Sequence, residues 1–184
     1  MKTVKTKPTE KKGFTLVEMA IASTILLIVL EAMFSLFWTT ENLYEQGKLL
    51  SDAQAIGRIG MEKLERDLRM GLTATLVSAD QITYTFDTSA NPDSPTLVTR
   101  SLYFSTGADG LESTSADNGL VYDPNTSVTG DEQTIMTNVR RIPGSNVFSV
   151  SGKLVTVNIR VVKINSTYNV TVNLDLTTIV RLRN

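Results

Sequence analysis

GFTLVEMAIASTILLIVLEAMFSLFW, residues 13–38, decides the architecture of this 184-residue chain. From Phe14 to Trp38 there are 25 residues and two charges, Glu18 and Glu31. Wound as a helix at about 1.5 Å per residue, the run is about 37 Å long, enough to cross a hydrocarbon core with some tilt. Trp38 and Tyr44 suit the far interface. Before the run, MKTVKTKPTEKKG holds five lysines (Lys2, Lys5, Lys7, Lys11, Lys12) against Glu10, and Pro8 with the Thr/Lys content makes it a solvated leader. After it, only Lys48 is basic in residues 39–53. The positive-inside rule therefore places the leader in the cytoplasm and the remainder outside.

A cleavable secretory signal would have a shorter apolar region, about 7–15 residues, ending in a small-x-small site. Here the run ends in Phe37 and Trp38. An ordinary signal anchor explains the lysines and the length but not Glu18, five residues into the run. A charge at the centre of a bilayer helix costs about 2.5–3.5 kcal/mol on insertion scales, less near an end where the side chain snorkels. Glu18 is either a tolerated interfacial carboxylate or one that awaits a cation. Cleavage after Gly13 would create that cation, an α-amine on Phe14 with a pKa near 8. In a bundle of parallel spans Glu18 could pair with the amine of a neighbour or of its own chain, fixing register more than adding stability.

Gly13-Phe14-Thr15-Leu16-Val17-Glu18, between a Lys-rich leader and about twenty apolar residues, resembles the class III signal of type IV pilins and pseudopilins. The resemblance implies that a prepilin peptidase cuts between Gly13 and Phe14 and N-methylates Phe14, and that Glu18 is the glutamate used in assembly. Removal of the leader would leave 13 basic and 18 acidic side chains, a charge of −5. A second stretch, Met61-Glu62-Lys63-Leu64-Glu65-Arg66-Asp67-Leu68-Arg69-Met70-Gly71, resembles the L-x-R-D-L-R-x-A/G end of the long helix in J-type minor pseudopilins and W-type minor pilins. The motifs cover about residues 14–71; residues 72–184 carry no specific family pattern. Many major pilins have a C-terminal cysteine pair and this chain has no cysteine, which favours a minor subunit.

Helical periodicity continues past the span. Leu43, Gly47, Leu50, Ala53, Gly57, Gly60, Leu64 and Leu68 recur at spacings of three or four. Glu62–Arg66 and Glu65–Arg69 are i,i+4 pairs in the favourable order. Arg66 and Arg69 complement the helix dipole, and Gly71 suits the C′ stop. One long helix over about 14–70 is expected, broken or softened near Gly47 or Gly57/Gly60. Its interior glycines serve either close packing of a sheet or melting during assembly. Beyond it, Gln81–Phe86 and Leu97–Phe104 read as strands. Val155, Val157, Ile159 and Val161, then Tyr168, Val170, Val172, Leu174 and Leu176, alternate with polar residues around an Asn165-Ser166-Thr167 turn. This predicts a long antiparallel hairpin whose apolar face receives the helix. The fold class is α+β and pilin-like, divided into a leader (1–13), a transmembrane and assembly helix (14–38), an amphipathic half-helix (39–71) and an extracytoplasmic β-sheet domain (72–184).

Hydrophobic residues make up 41% and charged residues 20%, as in a globular protein. Without cysteine there is no disulfide framework or thiolate chemistry, and without histidine the usual general base and commonest metal ligand are missing. The formal charge of −1 and the lack of basic–aromatic clusters give no direct nucleic-acid binding. Polar segments at Asp87–Pro95 and Ser105–Gln133 read as loops. The second offers Asp109, Glu112 and Asp117 as weak oxygen ligands for calcium, without EF-hand spacing; otherwise no cofactor is expected. Three N-x-S/T matches, at Asn125, Asn165 and Asn169, are assigned no role. Glu31 lies roughly 10 Å below the Trp38 interface at about 1.5 Å per residue, and either faces a bundle or contacts a cation on another subunit.

The reading is a non-enzymatic minor pilin or pseudopilin that waits in the bacterial inner membrane, N-terminus in. It then joins a filament at or near the tip, priming or capping assembly. Its partners would be prepilin peptidase, other major and minor pilins, the inner-membrane assembly platform and membrane lipid. The system is a type IV pilus, type II secretion or DNA uptake. The alternatives are a single-pass anchored binding or adhesion module that never polymerises, and an anchored hydrolase, for which no catalytic cluster presents itself.

Overall fold

In a computed structural model the described residues are 13–89, 94–106 and 118–183. One helix, α1, runs from Leu16 to Met70, and the remaining elements are strands. The chain divides into two compact units, up to Leu43 and from Tyr44 onward.

In the first unit every described residue up to Thr40 is exposed. This stretch makes α1 long and apolar enough to cross a membrane. Four of its hydroxyls bond back to the helix backbone: Ser23 and Thr24 donate to the Ala20 carbonyl at 2.9 and 2.8 Å, Thr39 to Ser35 and Thr40 to Leu36. In hydrocarbon such back-bonding satisfies groups that have no water to turn to.

In the second unit, α1 is built on two antiparallel sheets. The first is a meander in chain order: β1 (Thr73–Ser78), β2 (Gln81–Asp87), β3 (Leu97–Ser105), β4 (Gly119–Asp123) and β5 (Gln133–Thr137). The second is centred on β8 (Leu154–Asn165), with β9 (Val170–Arg181) along one edge and β6 (Val139–Arg140) and β7 (Phe148–Ser151) along the other. The β8–β9 ladder is the expected hairpin, continuous from Leu154↔Arg181 to Asn165↔Val170. Val155, Val157, Ile159 and Val161 are buried on one face. On the other, Arg160 forks onto Asp175, at 2.8 Å for the second contact, and Thr177 donates to Asn158 at 3.0 Å. Tyr168 falls in the turn rather than the strand, because Asn169 takes a left-handed φ of 51° and ends the alternation there.

One core joins helix and sheets: Met61, Leu64 and Leu68 of α1, Ile82, Tyr84, Leu102, Leu120 and Met136 of the first sheet, and Val155, Val157 and Ile159 of the second. The sheets are tied together by Phe148 N–H to Ala79 O (3.0 Å) and by Arg141, which forks onto Asp80 at 2.9 Å in both contacts. The Arg141 guanidinium also lies 5.0 Å from the Phe104 ring centre.

Three expectations are corrected. The helix is unbroken at Gly47, Gly57 and Gly60. Gly57 and Gly60 are buried, facing Leu176 and Met136, so close packing accounts for them; the site of a Cβ on Gly47 is open. The buried stripe begins at Ala53, leaving Leu43 and Leu50 exposed. Finally, Ser105–Gln133 is not one loop. Gly119-Leu120-Val121-Tyr122-Asp123 forms the strand between β3 and β5, with Leu120 fully buried. Of the expected helix pairs, Glu65–Arg69 forms at 3.3 Å, whereas Glu62 meets Arg58, also at 3.3 Å. The Arg58–Glu62 pair is exposed and contributes little.

Asp87, at the end of β2, accepts hydrogen bonds from the Ser89 N–H (2.9 Å), the Ser89 hydroxyl (2.7 Å) and the Thr96 N–H (3.1 Å). These donors, led by the Ser89 N–H, hold its carboxyl below the usual range. Because the folded pKa is depressed, the stabilisation is complete above the unfolded value near 3.8 and is lost as pH falls through the folded one. Urea midpoints measured from pH 5 down to about 2.5 should fall less steeply for Asp87→Asn than for the native chain; parallel curves would count against this role.

Candidate processing and assembly site

Gly13, Phe14 and Thr15 are non-helical, and α1 begins at Leu16. What starts the helix there is a reciprocal pair of side chains. The Thr15 N–H and hydroxyl donate to Glu18 Oε2 at 2.9 and 3.0 Å, and the Glu18 N–H donates to Thr15 Oγ1 at 3.2 Å. The first backbone turn closes from Met19 N–H to Thr15 O at 3.1 Å. This is a capping box: Thr at the N-cap and Glu three residues on satisfy each other's otherwise orphaned N–H groups. Thr15-x-x-Glu18 before an apolar run is its sequence signature, and this function of Glu18 is not contained in the amine-pairing argument. The negative charge also sits at the positive end of the helix dipole.

Gly13 has no left-handed φ, and nothing described lies within 4 Å of where its Cβ would stand. The described structure therefore makes no demand for glycine at this position. Phe14 is 85% exposed. The lysine leader lies outside the described residues apart from Gly13. Glu31 is exposed on α1, with no ion-pair partner among the described residues. Asp109, Glu112 and Asp117, the weak calcium candidates, lie outside the described residues. Among the described residues no cluster of carboxylates that could hold a metal ion is formed.

The second motif stretch is a packing surface. Met61, Leu64 and Leu68 enter the core. Glu65 accepts from the Thr178 hydroxyl of β9 at 2.6 Å and pairs with Arg69. Asp67 is half-buried near Tyr84 and Tyr122. Burial pushes both tyrosine hydroxyls up and the Asp67 carboxylate adds to the effect, while Arg100, stacked 4.1 Å from the Phe86 ring centre and 5.8 Å from that of Tyr122, opposes it. Gly71 ends the helix by space rather than by φ: its N–H bonds Leu68 O at 2.9 Å, and a Cβ would crowd Tyr84 at 3.1 Å.

Residues 9–30 match the family model of the prokaryotic N-terminal methylation motif. No curated protein and no solved structure matches the chain. The matched segment contains Gly13, Phe14, the Thr15–Glu18 cap and the apolar run as far as Leu30. It supports a class III, type IV pilin-like signal, on a precursor of the pilin or pseudopilin kind. It implies processing by prepilin peptidase and assembly with other pilins, and it suggests a structural subunit rather than an enzyme. The apolar helix that follows is consistent with a membrane anchor.

Proposed function

We propose that the chain is a minor pilin or pseudopilin. It is inserted in the inner membrane with its leader in the cytoplasm and its β-domain outside. Prepilin peptidase cuts between Gly13 and Phe14 and methylates the new amine. The subunit then moves with the assembly platform into a filament, at or near the tip, where it primes or caps assembly with other minor subunits. Transfer of the exposed apolar helix from lipid into a bundle of like helices drives entry, and Glu18, facing the Phe14 amine of a neighbour or its own chain, sets register. Glu31 is a further intramembrane contact to a cation on another subunit. The observation that carries this reading is the conjunction, within residues 9–30, of the methylation motif with a glutamate in the first turn of an exposed apolar helix. The minor-subunit assignment, of J or W type, draws its support from the Met61–Gly71 stretch and the absence of cysteine.

Gly13→Val tests the processing step. Intact-mass analysis of membrane protein should show the native chain beginning at methyl-Phe14 and the variant retaining residues 1–13. A native chain that keeps Met1 or Lys2 while functioning in cells overturns the assignment.

A further inference from the structure

The β8–β9 turn, Ser166–Asn169, is fastened through Asn165 to the N-terminal end of the part of α1 that belongs to the second unit. The Asn165 side-chain amide donates to Glu45 Oε2 at 3.0 Å. Glu45 lies seven residues from Trp38, a separation that cannot exceed about 25 Å even for fully extended chain. The turn is thus tied to a residue that the chain itself keeps within about 25 Å of the end of the apolar run. Its side chains are an interfacial mixture. Ile164 is 52% exposed beside the turn, Tyr168 is half-buried, and Lys163 supplies a cation on a flexible stem. Ser166, Thr167 and Asn169 expose hydroxyls and an amide. The opposite end of the ladder, where Ser151 pairs with Leu154, is eleven residues along β8, about 36 Å away at about 3.3 Å per residue.

We infer that the β8–β9 turn is a membrane-surface contact of the unassembled subunit, with Ile164 and Tyr168 entering the headgroup layer and Lys163 meeting lipid phosphate. The occupant is the lipid bilayer, because the short stretch of chain that leads out of the apolar run keeps the turn within reach of its surface. An apolar side chain flanked by an aromatic and a lysine is the combination that partitions to this depth. The inference rests on the membrane-spanning reading of residues 14–38. The contact is made before assembly, so extraction of the subunit into a filament breaks it.

The chain has no native cysteine, so single spin labels report cleanly. The full-length protein is reconstituted in phosphatidylethanolamine–phosphatidylglycerol vesicles with a label at Ser166→Cys, Ser151→Cys or Ser23→Cys. Collision with oxygen, which concentrates in lipid, is compared with collision with a water-soluble nickel chelate. The oxygen-to-nickel ratio at 166 should exceed that at 151 severalfold while staying below that at 23, and Ile164→Glu should bring 166 down to the value at 151. A ratio at 166 equal to that at 151, with 23 still in lipid, overturns the membrane contact and leaves the span standing. Water access at 23 as well overturns both. Dipolar broadening between labels at 166 would show the turn covered by a second copy, and would overturn the lipid assignment.

Discussion

Glu18→Gln is expected to abolish filament entry while leaving a membrane-resident, processed subunit. The substitution separates two functions of one carboxylate. As a cap, Glu18 accepts from Thr15 at 2.9 and 3.0 Å, and a glutamine accepts equally well at that position. As the proposed partner of an ammonium at Phe14, it has no substitute in glutamine. Loss of a cap costs about 1 kcal/mol, small for a 55-residue helix. An unpaired ammonium in an apolar bundle costs several kcal/mol. Glu18→Ala removes both and should fail as completely. The measurement is the fraction of subunit in sheared filaments, by immunoblot, alongside the mass of the membrane pool. If Glu18→Gln assembled normally and Glu18→Ala did not, capping would be the function of this residue and the register argument would fall.

Gly60→Val is expected to destabilise the β-bearing unit by about 2–3 kcal/mol, at the upper end of overpacking costs. A Cβ on Gly60 would overlap the Cγ and Sδ of Met136, and Met136 is only 2% exposed, so its side chain has no solvent to swing into. Gly57 offers the internal contrast. Its Cβ would meet the Cδ1 tip of Leu176, which is half-exposed and can turn aside. Gly57→Ala should therefore be close to neutral, the crowding offset by the roughly 1 kcal/mol that alanine gains over glycine in a helix. At Gly47 nothing stands within 4 Å, and alanine should be stabilising. Urea unfolding in detergent reads all three. Combining Gly60→Val with Met136→Ala should recover part of the loss; if it recovers none, the clash with Met136 is not the cause.

The helix was legible almost to the residue. The expected range of about 14–70 became Leu16–Met70, and the two residues lost at the front are explained by Thr15-x-x-Glu18, a local signal that outranks the apolar pattern. The β8–β9 hairpin was legible because twelve-residue strands give alternation room to show. The meander was half legible. β4 is only five residues long, so Leu120 and Tyr122 offer too few repeats of a period-two pattern to stand out. β6 is two residues long and exists only through its pairing with Val161 and Arg160. Nor could periodicity divide the strands between two sheets, since that depends on pairings distant in sequence, such as Val139 with Val161 and Val155 with Val180. At the N-terminus the residue types point to pairing of Glu18 with an amine, of a neighbour or of its own chain, whereas the bonds it makes are to Thr15.

The reciprocal bonds of Thr15 and Glu18 have a consequence upstream. A protease reads extended backbone, and a linkage locked inside a coil must be unwound before it can be cut. By pinning the first turn at Leu16, this pair leaves the Gly13–Phe14 linkage as exposed, non-helical chain ahead of the rod. If the peptidase cuts at this linkage, as proposed, no turn of helix has to open first.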